Sequence, residues 1–585
     1  MPANKRPSKT KGGAGAPEGF TPQRFEKELK DLAAKAKEDT WGRHATDQVL
    51  VYVKSLVLLS LLGIYANVSQ LALSPVYGSI PSSIYHSKIL MVGCFVGWSG
   101  NLFLRQKLPL RTENLLPIVA IYIPFIQYFL YQFSDALGPK WGPAVTEGVT
   151  LFPLAALSAA CVADYLEQAH LSMLPNFIAE AAPGIGSWGV FKLMESTVAR
   201  HLGIYVGQAF IYTRLGMEIL LGASYAIFSP SKFLFLVLPA LFHTSFLNTH
   251  VQTSWSTAAL NETMAAQNFT LLDRQESLTG YISVIESQEA GWRVLRCDHS
   301  LLGGDWVMVH GKRIPVKEPV YGVFLMLEAV RLVETEVAIA DKDAQALNIG
   351  LGIGTTPTAF VEHGINTTVV EIDPVVHEFA VKYFGHKENN PPVLQDAVSY
   401  TAELAKAAPE SYDYIVHDVF TGGAEPVDLF TLEFLQGLNA LLKPEGVIAI
   451  NYAGDFQLPA PRVVIRTILQ IFPTCRIFRE AAPDETRAKE DGQDFINTVI
   501  FCRKTEKPLT FRPAIEADYL GTQGRRAFLE PKHEVDVEEL LAVDEEWGIM
   551  RKNETDKLTQ WHVTSALGHW DIMRIVVPSK IWEMW

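Results

Sequence analysis

A chain of 585 residues is too long for one hydrophobic core, so several domains are expected. Hydrophobic residues make up 48%, charged residues only 19%, and the mean hydropathy is +0.12, which is apolar for an enzyme bathed wholly in water. The net charge of −14 argues against a nucleic-acid-binding face, because phosphates need a basic one.

Residues 1–45, opening "MPANKRPSKTKGGAGAPEG", read as a disordered basic start. They lack the apolar stretch of a cleaved secretory signal. Within them "RFEKELKDLAAKAKED" has the spacing of a solvated helix, or of a charged linker. Residues 46–249 read as a multi-pass α-helical membrane domain. "VLVYVKSLVLLSLLGIYANVSQLAL" is long enough to cross a bilayer, which takes about 20 apolar residues. Five further runs follow: "KILMVGCFVGWSGNLFL", "LLPIVAIYIPFIQYFLYQF", "VTLFPLAALSAACVADYL", "LGIYVGQAFIYTRLGMEILLGASYAIF" and "KFLFLVLPALFHTSFL". "LPNFIAEAAPGIGSWGVFKLM", with Glu180 and Pro183, is expected to be re-entrant or to lie on the surface.

The basic start and Arg105, Lys107 and Arg111 favour a cytosolic amino terminus. Six spans would return the chain to the cytosol, the preferred side for the soluble domain, and seven would place it in a lumen. Glycosylation sequons occur at Asn67, Asn261, Asn268, Asn366 and Asn553, a number near chance. Arg214 and Glu218, four apart in one run, read as a helix-local ion pair, with a functional polar cavity as the alternative.

Residues 250–330 read as a linker and a β-hairpin subdomain, from "GYISVIES" and "GWRVLRCD". In 331–505 strands and helices alternate, which calls for a parallel sheet covered on both faces: an α/β, Rossmann-like, seven-stranded methyltransferase-type domain. Residues 506–585 form an acidic, Trp-rich extension. It is expected to pack on the catalytic domain, with a membrane-interface contact through Trp582 and Trp585 as the lesser alternative. The five scattered cysteines suggest neither a disulfide scaffold nor a metal site, and no metal is expected.

The chemistry concentrates in "ALNIGLGIGTTPTAFVEHGINTTVVEIDP". A buried strand leads into Gly350, Gly352 and Gly354, then into a helix whose Pro357 suits a first turn. Glycines there let a ligand approach backbone N–H groups. Glu371 ends the next strand, 21 positions after Gly350, near the ~20 expected of an acid that holds ribose hydroxyls. The dinucleotide pattern G-x-G-x-x-G fails at Thr355 and at Pro357. G-x-G-x-G with a following acid suits a nucleoside without a pyrophosphate, S-adenosylmethionine or its decarboxylated form. Asp396 and Asp418 end the third and fourth strands, where such folds bind ligands. Asp396 would accept from an adenine amino group or cap a helix.

"SLTGYISVIE", "RVLRCD", "IGLGIG", "VVEIDP", "QDA" and "YDYIVHDVF" together resemble the spermidine synthase (polyamine aminopropyltransferase) superfamily, in a membrane-fused member, and methyltransferases built on that fold. The resemblance implies Glu371 on the ribose, Asp396 with Ala397 on the adenine, and Asp418 on the reacting amine. It also implies transfer of an aminopropyl group from decarboxylated S-adenosylmethionine to a small amine. This chain departs from the family at Ile353, where the glycine loop has an Asp, and at Thr421, where a second Asp follows the fourth strand. It departs again at Thr279 and Gly280, and at Tyr321, Gly322 and Val323. Few carboxylates are left for a dicationic acceptor, although Glu425 or Asp428 would serve a different one. The main expectation is a membrane-anchored aminopropyltransferase. The alternatives are a methyltransferase using S-adenosylmethionine on a membrane-proximal acceptor, and a transporter or scaffold with a non-catalytic nucleoside domain. Lipid bilayer, small-molecule acceptor and a second copy of the chain are the expected partners, and nucleic acid is not.

Overall fold

The computed structural model describes residue 30 and residues 41–169, 175–309, 312–313, 318–419, 422–424, 426–483, 494–542 and 547–585. The basic start before residue 41 apart from Lys30, and both Thr421 and Glu425, lie outside the described residues.

The amino-terminal third is a helical bundle: Trp41–Tyr77, His86–Ser99, Thr112–Tyr131, Ser134–Val149, Leu151–Leu166, Asn176–Tyr205, Arg214–Phe228 and Leu238–Phe246, with short pieces between. Leu62, Tyr65, Leu116, Leu154 and Phe191 fill its centre. Small residues let its helices approach; a Cβ on Gly97 would fall 2.0 Å from the Ala156 carbonyl oxygen. Among the described residues three helices, Ala45–Tyr77, Thr112–Tyr131 and Ser134–Leu166, are long and apolar enough to cross a membrane. A pair bent by 72°, Ser79–Ser99 with Asn101–Lys107, passes together. That is fewer than the six expected, since Arg214–Phe228 has only 15 residues and Leu238–Phe246 only 9. The segment expected to be re-entrant is a continuous 30-residue helix, Asn176–Tyr205, lying along the first; Asn67 Nδ2 donates to the Glu195 carbonyl at 3.0 Å.

Next comes a four-stranded antiparallel meander, larger than the expected hairpin: β1 (Phe269–Glu276), β2 (Tyr281–Ser287), β3 (Trp292–Cys297) and β4 (Ser300–Trp306). A two-residue pair follows, β5 (Met308–Val309) with β6 (Lys312–Arg313). The large sheet contains β7 (Gln345–Ile349), β8 (Asn366–Glu371), β9 (Val393–Leu394), β10 (Tyr412–His417), β11 (Leu442–Asp455), β12 (Thr474–Arg479), β13 (Phe495–Arg503) and β14 (His533–Glu534). Its order is β14-β12-β13-β11-β10-β7-β8-β9, parallel from β11 through β9 and antiparallel at β13. The seven strands expected are present, and the carboxy-terminal extension adds the eighth at the edge. Alternation explains the two apolar faces: Leu347 and Ile415 point into one core, Ala346 and Val416 into the other.

Three expectations are corrected here. Cys475 and Cys502 form a disulfide, because the β12–β13 register sets them directly opposite one another although they are 27 residues apart. Arg214 does not pair with Glu218. It stands at the start of its helix, facing the meander, and reaches Glu276 Oε2 and Asp298 Oδ1, each at 3.0 Å. Trp582 and Trp585 do not reach a membrane surface. They are buried, Trp585 stacked on His250 with ring centroids 4.4 Å apart. Arg296 clamps this carboxy-terminal segment to the bundle, donating to the Ile581 carbonyl at 3.1 Å and the Pro75 carbonyl at 2.7 Å.

Candidate active site

The glycine turn leaves β7 at Gly350. Gly350 has φ +84° and Gly352 φ +54°, conformations that L side chains adopt at a cost. A Cβ on Gly350 would lie 2.1 Å from the Asp418 carbonyl oxygen, and one on Gly352 would lie 2.5 Å from the Leu302 carbonyl oxygen. The turn is thus pressed between the end of β10 and the roof formed by β4. Gly354 caps the helix Thr355–Glu362.

Beside the turn is a cavity of about 570 Å³. Gly350 and Gly352, the β8 end at Glu371, the β9 end at Asp396 and Ala397, and the β10 end at Asp418 all line it. The expected nucleoside-site residues therefore converge, Gly354 excepted, which lies just beyond as the helix cap.

Their side chains have different duties. Glu371 Oε2 accepts from Leu351 N–H at 2.9 Å and Oε1 from Asp373 N–H at 2.9 Å, so this carboxylate also braces the glycine turn. Burial pushes its pKa up to about 7, against the lowering effect of those amides. Asp396 is committed to its helix, accepting from Val398 N–H at 3.3 Å, Ser399 N–H at 3.0 Å and Ser399 Oγ at 2.7 Å. It caps that helix and also lines the cavity. Asp418 Oδ1 accepts from Asn451 Nδ2 at 2.7 Å, and burial pushes its pKa up to about 6. Asp428 is exposed in a short 3-10 turn and does not line the cavity, where Pro426 and Leu429 stand instead.

Other departures find their physical places. Ile353 sits in an apolar cluster with Ile282, Leu295 and Phe379 beneath the meander, so no charge belongs there. Thr279 donates its N–H to Asp373 Oδ2 at 3.2 Å and lines the cavity. Tyr321 and Val323 also line it and bring no carboxylate.

Two lining residues carry no sequence motif. Asn451 is a polar residue in the apolar strand "GVIAINYAG", a signal that was legible; its Oδ1 is buried with no partner among the described residues. His569 lies on the carboxy-terminal helix Thr559–Val576, with Nε2 3.2 Å from Ser300 Oγ. Burial lowers its pKa to about 4, which keeps the imidazole neutral. Together with Ile572, Met573 and Val576 it makes the extension one wall of the cavity, and Gly78 and Ser79 of the bundle touch it as well. Among the described residues no cluster of metal-binding side chains occurs.

The Spermine/spermidine synthase domain family matches residues 332–476. The N-terminal histidine N-methyltransferase of Emericella nidulans is 46% identical over 560 residues, covering 93% of this chain and 99% of that protein. The chain belongs to this methyltransferase family. The similarity to the polyamine aminopropyltransferase of Vibrio vulnificus is narrower: 30% identity over 186 residues, 31% of this chain and 59% of that one. The eEF1A lysine and N-terminal methyltransferase of Mus musculus is 30% identical over 145 residues, 23% of this chain and 20% of that one. As a member of the methyltransferase family the chain is an S-adenosylmethionine-dependent transferase. The findings favour methyl transfer over the aminopropyl transfer expected from the sequence, and they do not support a polyamine as acceptor or a non-catalytic scaffold.

Proposed function

We propose that the chain transfers the methyl group of S-adenosylmethionine to a nitrogen of a protein's N-terminal histidine, at a membrane surface. The observation that carries this reading is the 46% identity to a histidine N-methyltransferase over 93% of this chain and 99% of that protein, a span far beyond the glycine turn and its sheet. Aminopropyl transfer would need carboxylates for a polycationic acceptor. Among the described residues the carboxylates lining the cavity are Asp298, Glu371, Asp396 and Asp418. The first is engaged by Arg214, the second by loop amides and the third by its helix.

The residues fit the cofactor. Gly350 and Gly352 line the cavity in a turn with no room for a Cβ, Glu371 would meet the ribose hydroxyls, and Asp396 with Ala397 would meet the adenine. S-adenosylmethionine supplies a methyl group already activated by a sulfonium. The protein has to position the acceptor nitrogen and keep its lone pair unprotonated. Asp418 Oδ1, fixed by Asn451, is the group suited to accept the acceptor's proton, and a pKa near 6 leaves it ionised at neutral pH.

Attachment to a bilayer rests on the bundle's outer surface. Phe95, Phe103, Ile185, Ile204, Ile227, Phe242 and Phe246 are among many large apolar side chains exposed there, a density that water-exposed surfaces rarely carry.

Calorimetry with the two cofactor forms tests the reading. S-adenosylmethionine should bind at least tenfold more tightly than its decarboxylated form, about 1.4 kcal/mol. The reverse preference would return the chain to aminopropyl transfer.

A further inference from the structure

The path of the chain through the bundle fixes which end of it bears the methyltransferase domain. The first helix begins at the end remote from that domain: Gln48 Nε2 donates to the Gln168 carbonyl at 2.9 Å, and Lys54 lies over the Tyr165 ring. It ends against the domain, where the Leu71 and Pro75 carbonyls accept from Arg214 and Arg296. The passes alternate from there. Asn101 is back at the remote end, beside Glu167, and Tyr131 returns to bond the Ala72 carbonyl. Ser134 on the domain side bonds Glu583, whereas Gln168 is remote again. Gly207 returns to press on Glu276, Ser229 bonds the Glu113 carbonyl at the remote end, and His250 closes on Trp585. Among the described residues the passes number seven, an odd count, so the start of the first helix and the catalytic domain lie at opposite ends.

Charge orients the two ends. The sequence that leads into the first helix carries Lys27, Lys30, Lys35, Lys37 and Arg43, and Arg105, Lys107, Arg111 and Lys232 belong to the remote end. The domain end has Lys88, Lys140, Arg200 and the ion-paired Arg214. The excess of Lys and Arg marks the remote end as cytosolic. The Cys475–Cys502 disulfide agrees independently, because disulfides persist in oxidising compartments.

The five sequons can then be sorted by geometry. Asn67 is bonded inside the bundle to the Gly63 and Glu195 carbonyls. Asn261 is locked on both sides to the Leu271 backbone, at 3.2 and 3.0 Å. Asn366 accepts from Asn390. Asn268 is exposed in a left-handed turn before β1, where its Nδ2 donates to Glu289 Oε2 at 3.2 Å. Asn553 is exposed in a turn before the last helices.

We propose that the methyltransferase domain faces the exoplasmic side of its membrane and carries N-linked glycans at Asn268 and Asn553. In that modification the amide Nδ2 bonds to the anomeric carbon of a lipid-pyrophosphate-linked oligosaccharide. The anomeric C–O bond breaks toward the pyrophosphate, and the amide gives up one proton. This sidedness rests on the bundle being embedded in a bilayer.

The test uses the full chain in eukaryotic microsomes. After alkaline carbonate extraction the chain should stay with the membrane, and release into the supernatant would overturn the embedding itself. Glycosidase should lower its mass in two steps, one lost in Asn268→Gln and one in Asn553→Gln, with Asn261→Gln unchanged. Ser8→Asn, which creates a sequon before the bundle, should gain none. A glycan on Ser8→Asn, or digestion of the catalytic domain by protease added to sealed vesicles, would reverse the sidedness. A protected domain without glycans, or a shift surviving in the Asn268→Gln, Asn553→Gln double variant, would overturn the assignment of the two sites.

Discussion

Asn451 Nδ2 donates to Asp418 Oδ1 across 2.7 Å, joining the end of β10 to the middle of β11 at the cavity wall. The bond steadies a carboxylate that burial would otherwise favour in its neutral form. Asp418→Asn should abolish methyl transfer while changing S-adenosylmethionine affinity less than tenfold, about 1.4 kcal/mol. Single-turnover kinetics beside calorimetry checks this. Retained turnover would remove Asp418 from the mechanism.

The pH dependence has two opposed parts. Asp418 must be ionised to take a proton, so transfer should rise as pH passes about 6. Glu371 is held near 7, above its ordinary 4.5, so the cofactor-free fold gains from it fully below about 4.5 and loses that gain as pH rises through about 7. Thermal unfolding from pH 4.5 to 7.5 should show a decline that Glu371→Gln reduces. An unchanged decline would mean that Glu371 is not its source.

Gly352→Ala should weaken cofactor binding at least tenfold, about 1.4 kcal/mol, because the new Cβ would meet the Leu302 carbonyl at 2.5 Å in a backbone conformation with φ +54°. Calorimetry on the folded variant reads the effect directly. Binding at wild-type strength would show that the turn is not pressed between roof and sheet.

Arg214 links the bundle to the meander through Glu276 and Asp298, all three largely buried. Arg214→Ala should destabilise by about 3–5 kcal/mol, the cost of leaving buried carboxylates uncompensated. It should also slow transfer, since Asp298 lines the cavity. Denaturation in detergent checks the first effect and turnover the second. Loss of neither would make this contact incidental.

The sheet was legible because its local signals agreed. The glycine turn, the acid 21 residues on and the strand-end aspartates are each set by neighbours close in sequence, and they converge on one cavity. What escaped depends on distant pairing. Cys475 and Cys502 meet only through strand register, and Arg214 finds its partners 62 and 84 residues away rather than one turn along its helix. His569 entered the cavity wall with no motif, because the extension's place depends on Trp582 and Trp585 burying against Arg296 and His250. Asp396 shows the reverse: its motif was visible, and its helix claimed the side chain.

Product analysis tests the central claim most directly. The full chain in detergent would be given a peptide beginning with histidine, together with S-adenosylmethionine or the decarboxylated form, and the peptide would be read by mass spectrometry. One added methyl group on the terminal histidine, only with S-adenosylmethionine and not on a peptide beginning with alanine, is the result predicted. An aminopropyl adduct, or methylation indifferent to the first residue, would contradict it.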